Sequence, residues 1–238
     1  MKETPAQLLS RLLSTRSPLQ IKLLGDSITH GVGGSGFCQN GEPIVTRFRR
    51  NPDGYCWAKL FKRAMEAHYS CTVINNACTG TGIQYPIKYF DTLVAQEDDL
   101  VLCTIGTNNR HQMFTDGPKR SREEQGEMLY RWIEELYALF QAKNKPVIFL
   151  ANIPASQKNE RDGKDYWRIL HMDDVDAIYQ RASEKLGFPL IRLYPLFWEV
   201  CEGKEEKLNA LLADGLHPND QGYDVMFRLI TRELGLSF

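Results

Sequence analysis

Ile21-Lys22-Leu23-Leu24-Gly25-Asp26-Ser27-Ile28-Thr29-His30-Gly31 begins as a short apolar run of strand type and breaks at Gly25. A serine stands two places beyond that glycine, and a glycine-rich loop follows. A serine at the end of a buried strand is held at the rim of a parallel sheet, where such folds bind ligands. The same serine can equally cap a helix. The stretch also lacks the G-x-S-x-G elbow found around another class of nucleophilic serine. A nucleophilic serine needs partners, so the choice falls to what the rest of the chain brings to that rim.

Working outward, the first strand is expected at about Gln20 to Gly25, and four more apolar runs follow. They are Cys71–Asn75, Asp99–Ile105, Lys145–Ala151 and Phe188–Leu193. Helical patterns lie between them. Thr4-Pro5-Ala6-Gln7 is a helix start with a capping threonine, proline at the first helical position and glutamine at the third. Leu8, Leu9, Leu12 and Leu13 then form its apolar stripe. Tyr55 to Tyr69 has helical spacing of Trp57, Leu60, Phe61, Ala64 and Met65. Ser121-Arg122-Glu123-Glu124 is a capping box that opens a long helix with Met128, Leu129, Trp132, Ile133, Leu136 and Phe140 on its apolar face. A helix from about Asp173 to Leu186 precedes the fifth strand, and a last one turns Tyr223, Met226, Phe227 and Ile230 inward. The charged stretch Ala155–Trp167 reads as a loop.

The strands are apolar throughout rather than alternating, as strands buried on both faces are. Strands that alternate with helices imply right-handed crossovers and a parallel sheet covered on each side. The expected architecture is α/β, a three-layer α/β/α sandwich around a five-stranded parallel sheet. At 238 residues, one domain over 1–238 is expected. It carries a polar insertion at about Val32–Gly54, in which Arg47, Arg49 and Arg50 form a basic cluster.

A net charge of −1 gives no electrostatic footprint for nucleic acid or an anionic membrane. No apolar stretch approaches the length that spans a bilayer. The N-terminus has charged residues around short leucine pairs and does not read as a secretion signal. The six cysteines form no C-x-x-C pair and no zinc-type cluster, so no metal and no cofactor is expected. Cys71 and Cys103 lie in strand-like runs and are expected as small buried hydrophobes. That usage points to a reducing, cytoplasmic location, although Cys38 and Cys56 flank a polar loop and can pair where conditions are oxidising.

Ser27, Gly80 and Asn108 each follow an expected strand, and His217 follows the fifth at more distance. A common rim is therefore open to all four. A serine hydroxyl is a poor nucleophile until a base takes its proton. His217 is the candidate base, and Asp214, three residues earlier, is its candidate orienting carboxylate. Charge on an attacked carbonyl oxygen needs fixed donors. The N–H groups of Ser27 and Gly80 and the amide of Asn108 can supply them.

These blocks resemble those of the SGNH, or GDSL-type, hydrolase superfamily. The resemblance rests on Gly25-Asp26-Ser27, on Gly80, on Gly106-Thr107-Asn108 and on Asp214-Gly215-Leu216-His217-Pro218, in the family's order. It implies a flavodoxin-like three-layer hydrolase fold and ester cleavage through an acyl-enzyme. Ser27 would be nucleophile and oxyanion donor, Gly80 and Asn108 the other oxyanion donors, His217 the base and Asp214 its partner. Two positions depart from the pattern. Ala77 stands where an earlier glycine is common, and Asn109 stands where the third block commonly has aspartate.

Asp26, Asn109 and His111 are further pocket candidates; Asp26 is expected to order its loop through backbone hydrogen bonds. His30, His68 and His171 have no serine-and-carboxylate setting. Gly31-Val32-Gly33-Gly34-Ser35-Gly36 matches G-x-G-x-x-G and makes a dinucleotide-binding domain an alternative. The match sits away from the strand end, and Asp53 lies in a turn-like Asn51-Pro52-Asp53-Gly54. A catalytically silent binding domain is another alternative. The substrate expected is a small-molecule or glycan ester, foremost an O-acetyl group on a carbohydrate, because the insertions are polar. A lysophospholipase or thioesterase, which needs an apolar site, is the runner-up.

Overall fold

A computed structural model describes residues 3–37, 54–113, 115–161 and 166–238. Most of the expected insertion, with Cys38, the Arg47–Arg50 cluster and Asp53, lies outside the described residues.

Five strands form one parallel sheet: β1 (Leu19–Gly25), β2 (Cys71–Asn75), β3 (Leu100–Thr104), β5 (Val147–Ala151) and β7 (Leu190–Arg192). Their order across the sheet is β2-β1-β3-β5-β7. The order reverses beside β1, where one neighbour comes next in sequence on one side and β3 lies on the other. That crevice is where such sheets hold ligands. Leu23 pairs with Leu102 and Gly25 with Thr104, so β1 and β3 end together at the rim.

Alternation of side chains along the central strands divides the core into two. Ile21, Leu23, Leu100, Leu102, Ile148 and Leu150 point to one face. There they meet α1 (Pro5–Thr15), α3 (Trp57–His68) and α11 (Asp220–Glu233). Leu24, Val101, Cys103, Val147 and Phe149 point to the other. There they meet α6 (Arg122–Ala142) and α8 (Met172–Leu186). The three layers expected from the sequence are therefore present. Both capping boxes also form, at Thr4 with Gln7 and at Ser121 with Glu124.

Several local expectations are corrected. Cys71 is only half-buried and Ile74 is 36% exposed, because β2 is an edge strand with one open side. In α11 Val225 and Leu229 are buried while Phe227 is only partly so. The aromatic segment after the fifth strand is the helix α9 (Leu193–Val200). Short helices α4 (Gln84–Lys88) and α5 (Phe90–Leu93) follow the second block. The stretch Ala155–Trp167 is not simply a loop. It contains α7 (Gln157–Arg161), and β6 (Tyr166–Arg168) begins in it. β6 pairs antiparallel with β4 (His111–Met113), matching His111 with Arg168. A three-residue strand has too little sequence to show a period, and only its distant partner defines it.

Candidate active site

Ser27 opens the short helix α2 (Ser27–His30) directly beyond β1. Asp26 caps that helix, its Oδ1 accepting the Ile28 N–H at 3.0 Å. Gly31 ends it with a left-handed φ of 107°. The turn is so tight that a Cβ on Gly25 would lie 2.3 Å from Thr29 Oγ1. Tyr223, from α11, donates to the carbonyls of Ile28 (3.0 Å) and Val32 (2.7 Å). One buried phenol thus clamps both the serine helix and the glycine loop behind it.

The loop Asp214–Pro218 brings the other two groups. Asp214 Oδ1 accepts the N–H groups of Leu216 (3.0 Å) and His217 (2.8 Å), folding the segment into a tight turn. Its Oδ2 lies 2.7 Å from His217 Nδ1, and His217 Nε2 lies 2.9 Å from Ser27 Oγ. The nitrogen facing a carboxylate carries the proton, which leaves Nε2 to accept from the serine hydroxyl. Residues 190 positions apart are thus in one hydrogen-bonded line.

Burial works to raise the Asp214 pKa, but the His217 ring and the two backbone N–H groups outweigh it and bring it down to about 2. Asp214 is therefore a carboxylate at neutral pH, as an orienting partner must be. Asp26 goes the other way. It is fully buried, and desolvation lifts it to about 6 against the lowering effect of Ile28 N–H and Thr107.

Gly80 is exposed with φ +68°, and a Cβ there would meet nothing within 4 Å. Its glycine is demanded by the dihedral. Asn108 follows β3 in a 3-10 turn (Thr107–Arg110), and its Nδ2 donates to Thr81 O at 2.9 Å. That bond ties the second and third blocks together and uses one of the two N–H groups of the amide. Gly106 has φ +119°, and a Cβ there would press within 3.1 Å of Tyr179.

Asn109 is turned inward. It is 4% exposed, accepts the Ile83 N–H (2.8 Å) and donates to Gln84 Oε1 (2.8 Å), so its amide braces α4. His111 is half-buried, and its Nε2 accepts from Arg168 Nε at 3.0 Å. Burial, with Arg110 and Arg168 close by, pushes it down to about 3, so it is a neutral acceptor near pH 7.

Sequence reasoning missed Asn152 and Arg110. Asn152, just past β5, donates to Thr107 Oγ1 at 2.6 Å and approaches Asp26 Oδ2 at 3.5 Å. Arg110 has no exposed surface at all. A polar residue at a strand end was a signal for Asn152; nothing local distinguishes Arg110 from a surface arginine.

The G-x-G-x-x-G match has a steric cause. A Cβ on Gly33 would lie 2.4 Å from Pro218 O and 3.0 Å from His217 Cβ, and one on Gly34 would lie 1.8 Å from Tyr55 O. Gly33 lets the loop pack against the histidine turn, and Gly34 lets it pack against the Tyr55 carbonyl. Among the described residues, no group of three or more His, Cys, Asp or Glu is placed to hold a metal ion. No described helix is long and apolar enough to cross a membrane.

Residues 23–225 match the model of the GDSL-like lipase/acylhydrolase family. The chain belongs to that family. It is an α/β carboxylic ester hydrolase. No curated protein matches the sequence. Among solved structures it is similar to Axe2 from Geobacillus stearothermophilus, described as an acetylxylan esterase (TM-score 0.65, 19% identity, covering 93% of this chain and 96% of that one). A variant of Axe2, described as an acetyl-xylooligosaccharide esterase, gives TM-score 0.66 at 18% identity with the same coverage. A chain from Parabacteroides merdae, described provisionally as a GDSL-like lipase, gives TM-score 0.66 at 17% identity, covering 93% of this chain and 98% of that one. At these identities the likeness shows the fold of this GDSL-like hydrolase. Axe2 variants at a serine, an aspartate and a histidine are described as catalytic mutants.

Proposed function

We propose that this GDSL-like hydrolase cleaves small acyl esters through an acyl-enzyme on Ser27, and that its natural substrate is an O-acetylated carbohydrate. The observation that carries the first part is the line Ser27 Oγ–His217 Nε2 (2.9 Å), His217 Nδ1–Asp214 Oδ2 (2.7 Å). His217 takes the hydroxyl proton as Ser27 Oγ attacks the ester carbonyl carbon. Asp214 holds the ring in the tautomer that can accept it. The carbonyl oxygen becomes an oxyanion, received by the N–H groups of Ser27 and Gly80 and by the Asn108 amide. Each such donor is worth about 3–4 kcal/mol in the transition state. The intermediate collapses, the C–O bond to the alcohol breaks, and the alcohol leaves with the proton from His217. Water then repeats the sequence on the acyl-enzyme, with His217 as base, and releases the acid.

The carbohydrate part is supported by the likeness to Axe2 and by the polar insertions, and the shared interval between its catalytic aspartate and histidine and that of Asp214 and His217 supports the acyl-enzyme part. The test is hydrolysis of a short-chain aryl ester by the parent and by Ser27→Ala, followed by a chain-length series and acetate release from acetylated sugars. The expected result is activity abolished by the substitution, highest on acetyl esters. A rise in kcat/KM from acetyl to octanoyl would move the substrate to long acyl chains, the lysophospholipase or thioesterase class. An inactive parent would overturn the ester-cleaving role of Ser27.

A further inference from the structure

Arginine is charged at every pH of interest, and its complete burial is costly unless every donor is matched. Arg110 is such a residue, with no exposed surface. Its Nε donates to Thr107 O at 3.0 Å. That carbonyl belongs to the peptide unit leading into Asn108. Its Nη1 donates to Glu160 Oε2 at 3.1 Å and its Nη2 to Asn159 Oδ1 at 3.2 Å. Both acceptors lie on α7.

That helix reaches the histidine turn. Asn159 N donates to Ser156 Oγ at 3.1 Å, and Ser156 N donates to Gly215 O at 2.8 Å. Gly215 sits between Asp214 and His217, and a Cβ on it would lie 2.5 Å from Ser156 Oγ. Glu160 is fixed in turn by the Met172 N–H on its Oε1 at 3.0 Å. A rigid fork therefore spans from the peptide before Asn108 to the arm that supports the turn carrying Asp214 and His217.

We infer that Arg110 is a positioning residue, holding the oxyanion amide of Asn108 and the Asp214–His217 turn in register through Thr107 and α7. The inference rests on the catalytic roles proposed above. It assigns Arg110 no contact with the substrate. Displacements of about 1 Å at a reacting geometry cost on the order of a hundredfold in rate, which is the scale on which such a fork acts.

The experiment uses the full chain and a short-chain aryl ester, with Ser27→Ala measured first. Arg110→Gln is expected to lower kcat about 10- to 100-fold with KM within about threefold of the parent. In an Asn108→Ala background the same substitution is expected to cost much less, leaving only the part transmitted through α7. That remainder is expected to exceed the loss in Asn159→Ala, which removes one of the two α7 contacts and leaves Arg110 paired with Glu160 on the same helix. Arg110→Lys keeps the charge without the fork and is expected to fall with Arg110→Gln. Thermal denaturation of each variant separates unfolding from misplacement; where Arg110→Gln does not fold, Asn159→Ala decides alone. Full additivity with Asn108→Ala, or folded variants at parental kcat, would overturn the inference. If the parent is active and Ser27→Ala is dead, that failure is confined to Arg110. A parent with no ester hydrolysis overturns both proposals.

Discussion

Gly33→Ala tests the link between the glycine loop and the histidine turn. The added methyl would lie 2.4 Å from Pro218 O, whereas ordinary contact begins at about 3.4 Å, so the two must part by about 1 Å. Neither side yields easily. Pro218 O is backbone, and His217 Cβ would be 3.0 Å from the same methyl. The native φ of +96° adds strain for any residue with a side chain. Left-handed backbone costs about 1–2 kcal/mol and overpacking about 1–3 kcal/mol, so a loss of about 2–5 kcal/mol of stability is expected. Because the movement falls on the residue bonded to Ser27, rate should fall more than stability alone accounts for. About a hundredfold in kcat is expected for a 1 Å displacement. Urea unfolding and aryl-ester kinetics, measured below the unfolding transition, give the two numbers separately. A folded variant with parental kcat would refute the steric account of why glycine stands at position 33.

Three further outcomes are expected. In Asp214→Asn the amide oxygen stays on the Leu216 and His217 N–H groups, its NH2 faces His217 Nδ1 and favours the wrong tautomer, and kcat should fall about 10²–10⁴-fold with little change in KM. Asp26, lifted to about 6 by burial, contributes stability that is full below its unfolded pKa near 3.8 and is lost as pH rises through about 6. The ceiling of that loss is about 3 kcal/mol, so Asp26→Asn should gain up to that amount relative to the parent between about pH 4 and pH 7.5 in urea titrations; a pH-independent difference would refute it. His111, pushed down to about 3, should show no imidazole titration between about pH 5 and pH 9 by NMR. Its contribution to stability is present above the unfolded value near 6.5 and declines as pH falls toward 3. A midpoint above about pH 5 would contradict the placement of His111 beside Arg110 and Arg168.

What was legible in the sequence was whatever local chemistry decides. The capping boxes at Thr4 and Ser121 form as their side chains dictate. The central strands are continuous apolar runs because both faces are covered, and this also made the three layers legible. Cys71 was misjudged because burial in a strand depends on its place across the sheet, and β2 turned out to be an edge. The β4–β6 pair and α7 were invisible for a related reason. His111 meets Arg168 across 57 positions, and α7 is anchored by Ser156 on Gly215 rather than by any apolar stripe of its own. The structure brings Ser27, Asp214 and His217 together as their loop positions indicated.

Glycine-rich loops pose the harder question, since one pattern serves opposite purposes. In a dinucleotide site, glycines bare the backbone so that a phosphate can approach. Here Gly33 and Gly34 bare it so that protein can approach, with Pro218 O and Tyr55 O occupying the space that a Cβ would need. Asn51-Pro52-Asp53-Gly54 and the gap after Gly25 argued against the nucleotide, but only the packing shows what the glycines are for. The serine helix is short, four residues, and too small to hold itself in place. It is fixed from outside, by Tyr223 on Ile28 O and Val32 O and by the glycine loop laid against His217. Ser27 and His217 are therefore not on two loops that happen to meet. The loop leaving Ser27 packs on the turn that presents His217, so a change that frees one displaces the other. Substitutions at Gly33 and Tyr223, neither of which is a member of the hydrogen-bonded line, should accordingly impair kcat in the same direction as substitutions within it.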